Sequence, residues 1–392
     1  MITIAFLWIL IIILLFVFIK LLNIEKNFLI SFLISIFTVI FIVNIEISID
    51  SALLGLNLVV KTILPTIFPF AVICNLIINY DGISLYSKIL GPLICKPLNL
   101  SKVSSFPIVA SMISGYPLGC KYCCDLYEEK YIDKFEFQRL LNIASNASPM
   151  FIIGSIGVGM LGNPKLGFIL LFANYLSPLI VGFFTRYKYS SKSSKPFISK
   201  NKNINLGEAL KISISNGINT TLQVSAFVVL FSIIIGIIKN NTFVSIVFQN
   251  LELLFNLPVN SLYGTFLGSI EFTNGCNLIS QIPTLSIPLK LSIISFICSF
   301  SGLSIIGQIS SFVGQYNISM RKYIFWKLIQ GFLSFLITFS ISYFFIDSIQ
   351  ASTYISYNYI LFNKLYLFLI SILLIPLLIR ITCALIQKYF PL

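Results

Sequence analysis

Residues 113–120 read ISGYPLGC, and the reading of this stretch decides the fold. Gly115, Pro117 and Gly119 stop the apolar run Val103–Ser114. At about 1.5 Å per residue that run reaches little more than half of a ~30 Å hydrocarbon core. Beyond it, residues 120–139 carry Asp125, Glu128, Glu129, Lys130, Asp133, Lys134, Glu136 and Arg139, a charge density that lipid does not admit. A segment that goes in apolar, stops short and comes out charged is a re-entrant helical hairpin with its tip at GYPLG. A weaker copy, IEFTNGC, spans Ile270–Cys276 and sets Glu271, Thr273 and Gly275 where the first has Gly115, Pro117 and Gly119.

The rest of the chain supplies the setting for two such tips. Of 392 residues, 57% are hydrophobic and 10% charged, and the mean hydropathy is +0.96. Soluble domains average about a quarter charged residues, so this is a polytopic membrane protein. Backbone groups in lipid need internal partners, and the apolar runs are too long for barrel strands, so the fold is an all-α bundle. The absence of histidine removes Ser-His and Cys-His catalysis and histidine metal ligation together. No GxSxG, no Walker-type phosphate loop and no intramembrane aspartate pair appears, so neither an enzyme nor a cofactor is expected. The eight cysteines are scattered, and Cys120, Cys123 and Cys124 lack the second pair of a zinc motif, so no metal site is expected. The net charge of +13 comes from lysine-rich loops that report membrane orientation rather than a nucleic-acid partner.

In chain order, two membrane helices, Thr3–Ile19 and Phe28–Val43, make a first unit over residues 1–48. An amphipathic stretch, Ser51–Lys61, then leads into a span at Leu64–Tyr80 broken by Pro65 and Pro69. The segment Ile83–Leu98 lies in the interface. After the hairpin, Phe137–Leu161 is a broken span, because NIASNASPMF puts Asn142, Asn146, Ser148 and Pro149 in its middle. Leu166–Phe184 closes a first repeat, 49–186. A basic, flexible linker at 187–205 holds Lys188, Lys192, Lys195, Lys200 and Lys202.

Residues 206–346 repeat that order. Leu222–Ile238 answers Leu64–Tyr80, and Phe243–Leu257 answers the interfacial segment. Val259–Ile270 with EFTNG answers the hairpin, and Leu291–Val313 answers the broken span. SGLSIIG at 301–307 stands under SPMFIIG at 148–154. Tyr323–Phe345 is the last span of the repeat, and Leu365–Cys383 forms a C-terminal unit, 347–392. Each repeat crosses an odd number of times, so the second is inverted. The basic residues agree: Lys88, Lys96, Lys102, Arg321, Lys322 and Lys327 fall on the cytoplasmic side, with the N-terminus outside and the C-terminus inside.

SGYPLGCK, followed by NASPMFIIGSIGVGMLGNP, resembles the sporulation integral membrane proteins of the YlbJ type. These belong to the nucleoside-recognition or Gate domain group. The resemblance runs from about residue 50 to 385, with one departure at Cys120, where a smaller residue such as Ala is expected. It implies a fold like the core of concentrative nucleoside carriers, with two inverted repeats that each hold a re-entrant hairpin and a broken helix. It also implies a place in the outer forespore membrane and a role in carrying dipicolinate from the mother cell toward the forespore. The Gate relationship alone equally allows a nucleoside or other small-metabolite carrier, or a structural sporulation protein that transports nothing. Coupling ion, direction and subunit number stay open, a homo-oligomer and a coupling proton or cation included.

Dipicolinate is a small anionic aromatic, and half-helix N-termini at the bilayer midplane suit its carboxylates. Each terminus acts as roughly half a positive charge. The expected substrate-binding residues are Gly115, Tyr116, Gly119, Asn142, Asn146, Ser148, Thr273, Asn274, Gly275 and Ser301. Tyr116 and Phe272 occupy matching places and suit a flat ring. Asn142 and Asn146 share a helix face and serve either as ligands or as a bridge between hairpin and broken helix. Glu271 is the only charge between Glu252 and Lys290. A carboxylate about 6 Å from each charge of a dianion is repelled by roughly 3 kcal/mol per pair at an effective dielectric near 20. Glu271 is therefore either a coupling or gating carboxylate that is protonated, paired or exchanged, or a packing group paired with Lys121 or Lys290.

Overall fold

The computed structural model describes residues 26–186 and 205–350. The expected helices Thr3–Ile19 and Leu365–Cys383 and nearly all of the basic linker lie outside them. Among the described residues the fold is helical throughout, without strands. Four helices are long and apolar enough to cross a membrane, and up to six if each bent pair is one span. The outer faces expose Phe, Leu, Ile and Val side chains along the length of these helices, a surface for lipid rather than water. The chain is an integral membrane protein.

Helix α1, Lys26–Val43, turns by 95° into the segment that follows. That segment is α2, Ile45–Leu58, which passes through a π-helical turn at Val59–Ile63 into α3, Leu64–Asn79. The sequence reading placed a separate amphipathic stretch at Ser51–Lys61; it is instead the middle of one long helix. Pro65 and Pro69 lack N–H donors, and the ladder shifts register in the turn before them instead of ending.

The first repeat continues with α4, Gly82–Ile89, bent 87° from α3. The hairpin is α5, Ser105–Ser114, and α6, Leu118–Glu128. The broken span is α7, Lys134–Ile143, followed by a π-helical segment at Met150–Met160. α8, Pro164–Phe184, completes the repeat. The second repeat has the same succession: α9 (Leu206–Asn240), α10 (Thr242–Leu254), the hairpin α11 (Ser261–Ile270) and α12 (Phe272–Ser280), the broken span α13 (Ile287–Phe300) and α14 (Gly302–Val313), and α15 (Met320–Gln350). Both hairpins and both breaks fall where the sequence placed them.

Two boundaries differ most. α9 begins at Leu206 rather than Leu222, because Asn205 caps it by accepting the N–H of Glu208 at 2.8 Å. α15 runs to Gln350, beyond the expected end at Phe345.

The helices form two groups. α9 packs along α2 and α3 through small residues, with Gly55 against Ser232 and Gly236 against Ser51. Asn79 and Asn216 of facing helices donate to Ser213 Oγ (3.1 Å) and Asn75 Oδ1 (3.3 Å). In the second group α15 packs on α8 and α13. Asn174, Ser295, Ser299, Ser334 and Thr338 join these three helices by hydrogen bonds of 2.6–3.4 Å. Such bonds satisfy polar groups for which lipid offers no partner.

Candidate functional site

The two hairpins meet tip to tip beside a cavity of about 330 Å³. Gly115 makes the first tip. Its φ of +83° is open to glycine without strain, and a Cβ there would stand 2.9 Å from Ser148. The next peptide, Tyr116–Pro117, is cis. The Tyr116 N–H donates to Asn146 O at 2.7 Å, which fastens the tip to the break in the first broken span. Ser148 follows that break, and its Oγ accepts the N–H of Phe151 at 3.3 Å, starting the π-helical segment.

The second tip is built on Glu271. Its carboxylate caps α12, accepting the N–H of Thr273 (3.0 Å), the N–H of Asn274 (2.9 Å) and the Asn274 side-chain amide (2.9 Å). Lys239 at the end of α9 donates to Asn274 Oδ1 at 2.7 Å. The cation nearest this carboxylate network is therefore Lys239. Lys121 pairs with Asp125 (2.8 Å) and Lys290 bonds Ser280 O (3.0 Å), so neither sequence-expected partner is used. The N-terminus of α12, expected to be open to an anionic ligand, is occupied by the chain's own carboxylate.

Of the expected site residues, Gly115, Tyr116, Ser148, Glu271, Thr273 and Asn274 line the cavity. Gly119, Asn142, Asn146, Gly275 and Ser301 do not. Gly119 lets α6 cross the first broken span, since a Cβ there would be 2.2 Å from Ala144 O. Gly275 lets the arms of the second hairpin touch, since its Cβ would be 2.1 Å from Gly268 Cα. Asn146 is the bridge: its amide donates to Ser111 Oγ (3.3 Å) and Ile143 O (2.8 Å), and its oxygen accepts from Gln330 (3.4 Å). Asn142 is buried with its amide weakly on Gln138 O (3.4 Å). Ser301 forms the break between α13 and α14 at φ +77°, buried behind the cavity wall. Cys120 is packed in the core, away from the cavity.

Sequence reasoning missed Phe151, Ser304 and Gln308, all on the lining. Gln308 is 1% exposed, and among the described residues neither atom of its carboxamide has a partner. The Tyr116 hydroxyl is likewise buried and unpartnered. The signal was present: Ser304 and Gln308, four residues apart, share one face of a helix that is otherwise mostly apolar. Opposite that face, Phe272 packs edge-on against Tyr116 (ring centroids 5.4 Å apart) and against Phe151 (4.7 Å). The lining thus joins aromatic surface to a few polar groups without partners among the described residues, the general make-up of a small-molecule site.

No protein-family model matches the chain. Among curated proteins it is similar to the sporulation integral membrane protein YlbJ of Bacillus subtilis (strain 168). The two are 27% identical over 286 residues, covering 67% of this chain and 70% of that protein. Among solved structures it is similar to CNTnw in an inward-facing substrate-bound state, with 17% identity, a TM-score of 0.42, and 81% and 86% of the two chains covered. A doubly substituted CNTnw in an outward-facing state gives 16% identity and a TM-score of 0.42, with 82% and 86% covered. By its sequence, the chain is similar to a YlbJ-type sporulation integral membrane protein over about two thirds of its length.

Proposed function

We propose that this chain is a secondary carrier for a small, flat aromatic dicarboxylate. The resemblance to the sporulation proteins names dipicolinate, moved across the outer forespore membrane from the mother cell toward the forespore. The observation that carries this reading is the cavity between the hairpin tips, where three aromatic rings stand beside the unpartnered carboxamide of Gln308. A planar ring packs edge-on or offset against such rings, and a carboxamide N–H donates to a carboxylate. The first turn of α14 adds free N–H groups next to Ser304 on the lining.

Glu271 has the role of a gate in this scheme. Tied to the N-terminus of α12 and flanked by Lys239, it holds the second tip closed while its charge is offset. That arrangement lessens the repulsion a free carboxylate would exert on a dianion.

A second reading, a neutral hydroxylated aromatic such as a nucleoside, has its own support: the lining contains Glu271 and, among the described residues, no lysine or arginine. Proteoliposomes separate the two. Counterflow of labelled dipicolinate, with uridine ineffective as a competitor, is the expected result. Uridine counterflow without dipicolinate counterflow would move the assignment to the second reading. Transport of neither by folded protein would leave a structural role.

A further inference from the structure

Lys327 lies within a membrane-spanning helix, α15, and is 0% exposed. Its Nζ donates to the backbone oxygen of Ser145 at 2.6 Å and to Gln330 Oε1 at 2.9 Å. Both acceptors are uncharged, and among the described residues the only salt bridge is Lys121–Asp125. A neutral amine has two N–H donors and a lone pair, whereas an ammonium has three donors. The two acceptors match the two donors of a neutral amine, one fewer than an ammonium carries. An ionisable group at membrane depth with no counter-charge is costly unless it has work to do.

Its surroundings connect it to the moving parts. Ser145 belongs to the break between α7 and the π-helical segment, two residues from Ala147 and three from Ser148 on the cavity lining. Gln330 also donates to Asn146, which in turn donates to Ser111 in the first hairpin. A change of charge at Lys327 therefore acts through Gln330 on Asn146, whose backbone oxygen accepts the Tyr116 N–H of the first tip.

We propose that Lys327 is the proton-carrying group that couples substrate movement to a proton gradient. On the loading side the amine takes up one proton and becomes an ammonium; on the release side the ammonium returns that proton to water. Nothing else is consumed. Tyr323, whose hydroxyl shares a hydrogen bond with Ser145 Oγ (2.9 Å), Tyr175 of α8, bonded to Met112 O and Ala147 O, and Tyr116 of the first tip, whose N–H donates to Asn146 O, are titratable groups around the break. Cys120 and Cys123 of α6 lie beyond Tyr323. On α7, Glu136 bonds Ser101 and Ser104, and Arg139 bonds carbonyl oxygens of Leu98, Asn99 and Gly182. Lys290 of α13 bonds Ser280 O. Of these groups the only carboxylate is Glu136, and it forms no salt bridge with Lys327.

The proposal rests on the carrier reading, and the test keeps the two apart. Wild-type proteoliposomes loaded with a pH-sensitive dye should accumulate labelled dipicolinate under an imposed pH gradient and show dipicolinate-dependent proton flux. Lys327→Gln, which cannot change charge, should retain counterflow exchange and lose both gradient-driven accumulation and proton flux. Accumulation by Lys327→Gln equal to wild type would overturn the proposal. So would net dipicolinate uptake by the wild type without any proton flux, a measurement that needs no variant to fold. Failure of wild-type counterflow with dipicolinate would instead count against the substrate, and the proton measurement would be repeated with uridine.

Discussion

Tyr116 and Phe272 meet edge to face at the junction of the two hairpin tips, with ring planes 85° apart. They hold matching positions in the two repeats, so the contact is where the halves of the molecule touch at the site. Edge-to-face pairs contribute about 0.5–1.5 kcal/mol beyond burial of the rings. A double-mutant cycle of Tyr116→Leu and Phe272→Leu, read by thermal unfolding in detergent, should return a coupling in that range. The same variants should exchange substrate faster across a loosened closure but bind it less tightly. A coupling near zero would mean the tips touch without latching.

Gln308 gives the clearest separation of stability from function. A buried carboxamide without a partner costs about 1–3 kcal/mol, and a leucine of similar volume removes that cost. Gln308→Leu should therefore raise the melting temperature of the ligand-free protein while abolishing substrate binding. If binding survives, the carboxamide does not contact the cargo. If stability falls instead, the amide has partners in the resting state.

Glu271→Gln tests the gate. The glutamine keeps one acceptor for the first turn of α12 but loses the charge that favours a helix N-terminus, a change of about 1 kcal/mol. The second tip should open more often, measured as faster labelling of Thr273→Cys by a membrane-impermeant maleimide. Because the proton is assigned to Lys327, accumulation driven by a pH gradient should persist in Glu271→Gln. Its loss would transfer the coupling role to the carboxylate.

The architecture was legible in the sequence because breaks in lipid have few causes. Gly115 with Pro117, Ser148 with Pro149, and Ser301 with Gly302 each mark a real interruption. Charge density after Cys120 fixed the first hairpin for the same reason. The site was legible only in part. A glycine that lets two helices touch reads the same as one that lets a ligand approach, so Gly119 and Gly275 could not be told apart from Gly115. Asn146 looked equally suited to a cargo and to a bridge, and only the positions of Ser111 and Gln330 decide for the bridge. The start of α9 was hidden because its cap, Asn205, follows directly on the basic linker. Lys327 read as an orientation signal near a helix end, whereas packing of α15 against α7 and α8 buries it.

The two carboxylates that anchor the hairpins were also invisible, and they carry the last prediction. Glu252 of α10 accepts the N–H groups of Asn260 (2.7 Å), Leu262 (2.8 Å) and Tyr263 (3.1 Å) at the first turn of α11. Glu136 of α7 accepts the N–H (2.6 Å) and hydroxyl (2.7 Å) of Ser101 and the hydroxyl of Ser104 (2.7 Å), just before α5. The halves thus perform one task with carboxylates from non-equivalent helices, one before its hairpin and one after. Hydrogen bonds to a charged group contribute about 1.5–3 kcal/mol each where buried, and a glutamine would turn an N–H₂ toward backbone donors. Glu252→Gln and Glu136→Gln should each lower the melting temperature by several degrees, with roughly 2–4 °C lost per kcal/mol for a domain of about 150–250 residues. Glu252→Gln should also raise protease cleavage around the second hairpin selectively, and Glu136→Gln around the first. Equal loosening of both hairpins by either variant would show that the carboxylates stabilise the bundle as a whole rather than each its own hairpin.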